Sequence, residues 1–261
     1  MSPSTSSRPR PSHPLLDALW DDYAARVPYV ATFQDLCGGA FENDHIALRT
    51  VAVDGAGSGL ATFVPVFERL GWVVKDHYVF EDVHLSALYL SQAGLPRVFV
   101  SELDVSALPS SAATFLRTQP TPPPAPSSTS ALAAWFSAPA QVSRAAVHEV
   151  ARVSQYGAWC LCFGRLVNHF TALVDDVGLW QERLAGASVP MKAEIEGAPV
   201  PVGGIGLRQT ATAAAMATVT FDDGSTEQRP YAYFEIAERH GGFDGFLSGQ
   251  ARQLFDQTAI R

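Results

Sequence analysis

The chain has 261 residues, enough for one large domain or two small ones with a real core. Hydrophobic residues make up 47% and charged residues 17%, a globular balance that excludes a disordered or fibrous chain. The formal charge of −8, from 18 basic and 26 acidic residues, is the wrong sign for a phosphate-backbone binder, so nucleic acid is not an expected partner. No apolar run reaches the roughly 18–20 residues that span a bilayer, and no membrane partner is expected. The opening MSPSTSSRPRPSHP has arginines but no apolar h-region, which argues against a secretory signal. Three cysteines, Cys37, Cys160 and Cys162, are too few and odd in number for a disulfide framework. They fit a reducing compartment, and the expected location is cytoplasmic.

Residues 1–13 are rich in Ser, Pro and Arg, without periodicity, and read as a disordered tail. Residues 14–37 space their apolar side chains helically, and Pro28 opens a second short helix that Gly38-Gly39 stops. Residues 44–53 alternate as a strand, 60–70 are helical with Gly71 as stop, and 72–80, 84–90 and 97–103 are strands. Residues 118–130, TQPTPPPAPSSTS, are too poor in apolar groups to offset ordering entropy and read as a linker. A helical connection follows at about 143–156. Next come a strand at 168–174, a short helix at 179–184, a strand at 192–196, one or two strands over 207–221, and a final strand at 231–237. The segment from 239 to 261 closes the chain.

The order β-α-β-β-β thus occurs twice, at about 43–103 and 167–238. NDHIAL opens the first copy and NHFTAL the second, and a Glu lies near the end of each, Glu102 in FVSEL and Glu235 in YFEIA. The expected fold class is α+β. Two βαβββ modules form one curved, cup-like mixed sheet with packed helices, an arrangement that resembles the vicinal oxygen chelate fold. Neither half buries its sheet alone, so residues 14–261 are expected to be a single domain.

Side chains alternate faces along a strand. His45, Ala47 and Arg49 share one face, with Ile46 and Leu48 on the other. His169 and Thr171 oppose Phe170 and Ala172, and Tyr231, Tyr233 and Glu235 oppose Phe234 and Ile236. His45, His169 and Glu235 are therefore candidate metal ligands pointing into the cup. Two imidazoles and a carboxylate with open positions suit non-haem Fe(II), and catalytic Zn accepts the same set. Arg49 lies four strand residues, about 13 Å, beyond His45. Its planar fork suits a substrate carboxylate or, alternatively, a wall carboxylate such as Glu102 or Glu235.

NDHIALRT, SELDVSAL, LRQTAT with FDDG, YAYFEIAERHGGF and GFLSGQARQLFDQT resemble, in this order, the 2-oxoadipate dioxygenase/decarboxylase family, which includes hydroxyglutarate synthases. The resemblance runs from about residue 15 to 261, apart from the Pro-rich linker. It implies a vicinal oxygen chelate-like fold, Fe(II) held by His45, His169 and Glu235, and substrate bound by Arg49, which would be the catalytic arginine. Gln209 matches the family's Gln and is implied to orient substrate or to make a structural hydrogen bond. The implied reaction is oxidative decarboxylation and hydroxylation of a 2-oxo acid by O2, of the 2-oxoadipate to 2-hydroxyglutarate type. Two departures bear on the substrate: Ala211 in LRQTAT, and a short chain with the linker between its modules.

Two other classes stay open: a redox-neutral divalent-metal lyase, isomerase or hydrolase of the same fold, and a non-catalytic small-molecule binder. Either a monomer or a homodimer fits. Glu102 is the counterpart of Glu235 in the repeat and a second candidate ligand or base; the Y-x-E block favours Glu235. Cys160-Leu161-Cys162 has no second pair and reads as buried thiols in a strand-like context. His77 and His84 flank a turn, His148 and His240 have no evident partner, and Glu238 is a structural acid beyond the last strand. Gly203-Gly204-Ile205-Gly206 lacks the helix of a dinucleotide loop and reads as a β-turn.

Overall fold

The computed structural model describes residues 9–53, 58–119, 123–138 and 142–246. Expectations for residues 1–8, for 120–122 of the linker and for 247–261 lie outside the described residues. Helices α1 (Pro14–Arg26) and α2 (Tyr29–Cys37) come first. Pro14 sits in the first turn, where its missing N–H costs nothing, and Gly38 ends α2 at φ 81°, a left-handed cap. Strand β1 (Glu42–Ala52), helix α3 (Leu60–Arg69) and strands β2 (Val73–Phe80), β3 (Leu85–Ser91) and β4 (Arg97–Asp104) make the first module. Four helices connect it to the second: α4 (Ser110–Arg117), α5 (Thr129–Phe136), α6 (Arg144–Ala151) and α7 (Gln155–Phe163). Then follow β5 (Val167–Leu173), α8 (Val177–Gly186), β6 (Gly206–Ala211), β7 (Ala215–Thr220), β8 (Thr226–Ala232) and β9 (Glu235–His240).

Seven strands form one curled mixed sheet in the order β2-β3-β4-β1-β5-β9-β6, the α+β architecture expected. Its two halves mirror each other. β1 pairs parallel with β4, as β5 does with β9, and β3 and β6 flank these antiparallel. The halves join where β1 and β5 run antiparallel. Ile46 opposes Phe170 at the centre of that pair. Both are fully buried, and Trp20 and Tyr23 of α1 each set a ring 5.0 Å from Phe170. Burying each such side chain is worth about 1.5–3 kcal/mol, and that pins which face the helices cover. The other face receives His45 and His169.

The β1–β5 register carries two bulges. The pairing steps from Asn43 to His45 on β1 and from His169 to Val167 on β5, so Asp44 and Asn168 are the extra residues. They lie at equivalent places about the Ile46–Phe170 centre. A bulge leaves one residue out of the ladder and turns the local twist, so neighbouring side chains can be aimed together.

Several sequence expectations are corrected. Residues 9–13 are not a free tail: Arg10 pairs with Glu42, its N–H donating to Phe41 O at 2.7 Å and its O accepting from Asn43 N at 2.6 Å. The linker is partly ordered, because Ser128 caps α5 and Trp135 Nε1 donates to Pro123 O at 2.8 Å. The connection at 143–156 is two helices, each opened by a serine cap, Ser143 and Ser154. Cys160 and Cys162 lie on helix α7, whose nearly all-round apolar surface hides its period. Residues 192–196 form no ladder: Glu196 makes an isolated bridge to Gln209, and Met191, just before the segment, makes one to Thr212. The final strand divides: Tyr231 belongs to β8, in a separate hairpin with β7, while β9 begins at Glu235. Thr212 causes the break by taking both backbone groups of Phe234, its N–H donating to Phe234 O and its hydroxyl accepting from Phe234 N.

Candidate active site

β1, β5 and β9 lie side by side, and their register sets the site. Thr171 opposes His45 on one side and Glu235 on the other, while His169 opposes Ala47. One ligand-type atom from each of His45, His169 and Glu235 lies within 4.8 Å of the others, all three residues buried. His45 Nε2 is 3.3 Å from Glu235 Oε1. The Thr171 hydroxyl donates to the same Oε1 at 3.0 Å and lies 3.1 Å from His45 Nε2. Glu235 Oε2 is buried with no hydrogen-bond partner among the described residues.

Each imidazole is held by the residue before it. His45 Nδ1 lies 2.7 Å from Asp44 Oδ2, and His169 Nδ1 lies 3.0 Å from Asn168 Oδ1. A carboxylate only accepts, so Nδ1 of His45 carries the proton and Nε2 faces the cluster. Asp44 is itself clamped: Arg239 donates from Nε to Oδ1 at 2.6 Å and from Nη2 to Oδ2 at 2.8 Å, and Arg97 adds a bond at 3.3 Å.

The electrostatics differ between the two imidazoles. Burial works against a charge on His45, but its hydrogen bonds to Asp44 and Glu235 outweigh burial and raise its pKa. Burial would raise Asp44, yet the bonds from His45 and Arg239 hold it well below the usual carboxylate range. Burial drives His169 well below the ordinary histidine value, and the neighbouring positive charges of His45, Arg49 and Lys192 add to this. His169 is therefore a neutral imidazole.

His45 and His169 border a recess that is partly open to solvent. Arg49, Asn168, Gln209, Tyr233 and Phe246 line it too. Arg49 is 2% exposed, and its guanidinium lies over the rings of Tyr156 (5.1 Å) and Trp159 (5.3 Å) on α7. Tyr233 stacks on His169 at 4.6 Å, and Phe246 sets its ring edge-on to His45 at 4.8 Å. Gln209 Nε2 donates to Glu196 at 3.2 Å, and Glu196 accepts a second bond from Lys192 at 2.9 Å. Gln209 thus makes the structural hydrogen bond, and it also lines the recess.

Glu102 is placed elsewhere. Its Oε2 accepts from Leu60 N at 2.8 Å, capping α3, and its Oε1 accepts from Ser86 at 3.1 Å. By register, Glu235 sits beside the residue two beyond His169. The equivalent residue, two beyond His45, is Ala47, and it pairs with Phe99. Phe99 is the true counterpart of Glu235, and it borders the recess. Three of the four equivalent positions therefore carry a ligand-type side chain and the fourth an aromatic ring. Other expectations also change. His148 meets Glu227 at 2.9 Å, and His240 meets Glu238. Glu238 lies within β9, accepting from Val177 N at the start of α8 and from Arg208. The turn expected at 203–206 lies instead at 201–204, where Gly204 N donates to Pro201 O at 2.8 Å, and Gly206 already begins β6.

Sequence reasoning did not single out Asp44, Asn168, Tyr233, Glu196 or the Tyr156–Trp159 pair. The usable signal was the polar residue before each histidine, Asp in one module and Asn in the other. The others come from segments whose side chains meet the site only through tertiary packing.

A family model for 2-oxoadipate dioxygenase/decarboxylase matches residues 128–260, just over half of the chain. The chain is 29% identical to the 2-oxoadipate dioxygenase/decarboxylase, chloroplastic/amyloplastic, of Oryza sativa subsp. japonica, over 91% of this chain and 76% of that one. It is 27% identical to the chloroplastic 2-oxoadipate dioxygenase/decarboxylase of Arabidopsis thaliana, over 82% and 67%. In fold it is similar to the hydroxyglutarate synthase of Oryza sativa crystallised with 2-oxoadipate, with TM-score 0.79 and 24% identity over 94% of this chain and 91% of that one. A glyoxalase superfamily protein from Ralstonia eutropha JMP134 gives TM-score 0.73 and 23% identity, over 87% and 82%. The curled α+β sheet is thus shared in fold with that protein. The chain belongs to the 2-oxoadipate dioxygenase/decarboxylase family.

Proposed function

We propose that this protein is an Fe(II)-dependent dioxygenase that oxidatively decarboxylates and hydroxylates a 2-oxo acid, 2-oxoadipate or a close analogue. The observation that carries the reading is the convergence of His45, His169 and Glu235 to within 4.8 Å, beside a recess bordered by Arg49. The donor set fits a divalent cation on its own chemistry. Glu235 brings a buried oxygen without a protein partner, His45 presents Nε2 because Asp44 takes Nδ1, and His169 is a neutral imidazole. Two histidines and one carboxylate are the set favoured by non-haem Fe(II), with positions left open for substrate and O2.

When bound, Fe(II) supplies the activation of O2 and polarises the 2-oxo acid. The protein's own groups do the rest. Arg49 binds substrate carboxylate, its guanidinium held by cation–π contacts with Tyr156 and Trp159. The Thr171 hydroxyl bonds Glu235 Oε1 and orients the carboxylate, which would hold the ion together with His45 and His169. Phe99, Tyr233 and Phe246 keep the recess apolar and exclude water from the reacting carbon. For 2-oxoadipate the balance is one O2 consumed, one CO2 released and one 2-hydroxyglutarate formed, so no separate reductant is needed.

The test is an oxygen electrode with Fe(II)-loaded protein and a panel of 2-oxo acids of different chain length. Oxygen uptake that depends on a 2-oxo acid, with equimolar CO2, is expected. Tight zinc with no oxygen uptake would instead point to a redox-neutral enzyme.

A further inference from the structure

Asn168 does more than hold His169. Its Oδ1 lies 3.0 Å from His169 Nδ1. For His169 to present Nε2 to the cluster, Nδ1 must carry the proton, and then Asn168 must offer its oxygen there. That fixes the amide the other way round at its far end. Nδ2, with two N–H donors, is buried and has no hydrogen-bond partner among the described residues, in a residue that is 1% exposed. Asn168 borders the same recess as Arg49. The β5 bulge sets it near the Arg49 end of the β1–β5 pair, because Leu48, next to Arg49, opposes Val167, next to Asn168.

The equivalent residue shows that this is not required for orienting a histidine. Asp44 occupies the matching bulge, holds its histidine at 2.7 Å and has no donor at all. Its second oxygen is taken by Arg239 and Arg97. An aspartate at 168 would do the same for His169, but would set a negative charge in the recess beside Arg49. The asparagine supplies the acceptor the imidazole needs and keeps a buried donor without a partner among the described residues, in a residue that borders the recess.

We propose that Asn168 is a substrate-binding residue, its Nδ2 donating to a carboxylate oxygen of the 2-oxo acid alongside Arg49. This rests on the 2-oxo acid reading above. A buried amide donor facing a carboxylate costs its desolvation when unmet and gains a charge-assisted bond when the acid arrives.

The experiment compares wild-type protein with Asn168→Asp and Asn168→Ser, each loaded anaerobically with Fe(II). Bound iron is measured by plasma emission and 2-oxoadipate binding by calorimetry. Asn168→Asp keeps the acceptor for His169, so iron content is expected to stay at the wild-type level while 2-oxoadipate binding weakens about 10- to 100-fold or more. Asn168→Ser removes the amide donor without adding charge and is expected to weaken binding about tenfold, with KM rising more than kcat falls. Wild-type affinity in either folded, iron-loaded variant would overturn the assignment, because a residue that only orients His169 predicts that result for Asn168→Asp. Iron-loaded wild-type protein that binds no 2-oxo acid overturns the functional reading and this proposal together. Affinity lost only in the variants supports the proposal.

Discussion

The two halves of the sheet bring the same device to the site with different charge. In the first, Asp44 and His45 lie at a β-bulge, and the carboxylate is saturated by His45, Arg239 and Arg97. In the second, Asn168 and His169 lie at the equivalent bulge, and the amide spends one end on the imidazole. Asp44 sits in a closed ionic network that draws Arg97 from β4 and Arg239 from β9. Arg239 and Arg97 also grip residues 243–245, and so hold the segment that places Phe246 over His45. The second half is open toward Arg49 and the recess. The two bulges of a duplicated framework thus differ: the Asp44 carboxylate is fully taken, and one end of the Asn168 amide has no protein partner among the described residues.

Substitutions can break or sharpen this contrast. The largest effect is expected from Glu235→Ala set against Glu102→Ala. The first should remove bound iron and reduce turnover by about a thousandfold or more, since a ligand is lost. The second should leave iron and kcat in place. It uncaps α3, costing about 1 kcal/mol, read as a fall in Tm of about 2–4 °C. Equal losses in both variants would mean the halves are interchangeable. Next is Arg49→Ala, expected to hold iron normally while kcat/KM falls about a hundredfold, because a buried cation that meets a carboxylate is lost.

Asp44→Asn makes the first half resemble the second. Arg239 and Arg97 then face a neutral amide, and His45 loses its anionic partner. Iron affinity is expected to fall about 10- to 100-fold, measured by competition with a chelator, and stability by about 3 kcal/mol in urea unfolding. The smallest effect concerns Cys160 and Cys162. Burial pushes both thiols up to about 12, against the partial pull of Arg49 and Arg229 respectively. At pH 8 they stay protonated, so iodoacetamide should label neither until the protein is unfolded. Rapid labelling of the folded protein at that pH would place them nearer solvent.

Much of this was legible in the sequence because strands alternate and the module order repeats. NDHIAL and NHFTAL put His45 and His169 on equivalent strands, and alternation sent both away from Ile46 and Phe170. The bulges were not legible, since an inserted residue shifts pairing without disturbing the apolar pattern on either side. That is why Asp44 and Asn168 were passed over. Glu102 was matched to Glu235 by counting from the strand ends, whereas register matches Glu235 to Phe99. The break between Tyr231 and Glu235 escaped notice because residues 231–237 are all buried, so no alternation marks where one strand stops. Helix α5 was hidden by the Pro/Ser/Thr run that contains its cap, Ser128.

The central claim is that one metal ion is shared between the halves, with a ligand histidine from each. Its most direct measurement is iron per chain in the wild type, His45→Ala and His169→Ala, each reconstituted anaerobically with Fe(II) and desalted. The account predicts one iron per chain in the wild type and close to none in either variant, with all three equally folded by circular dichroism. Full iron in one variant would contradict it, because a single half would then hold the ion without the other.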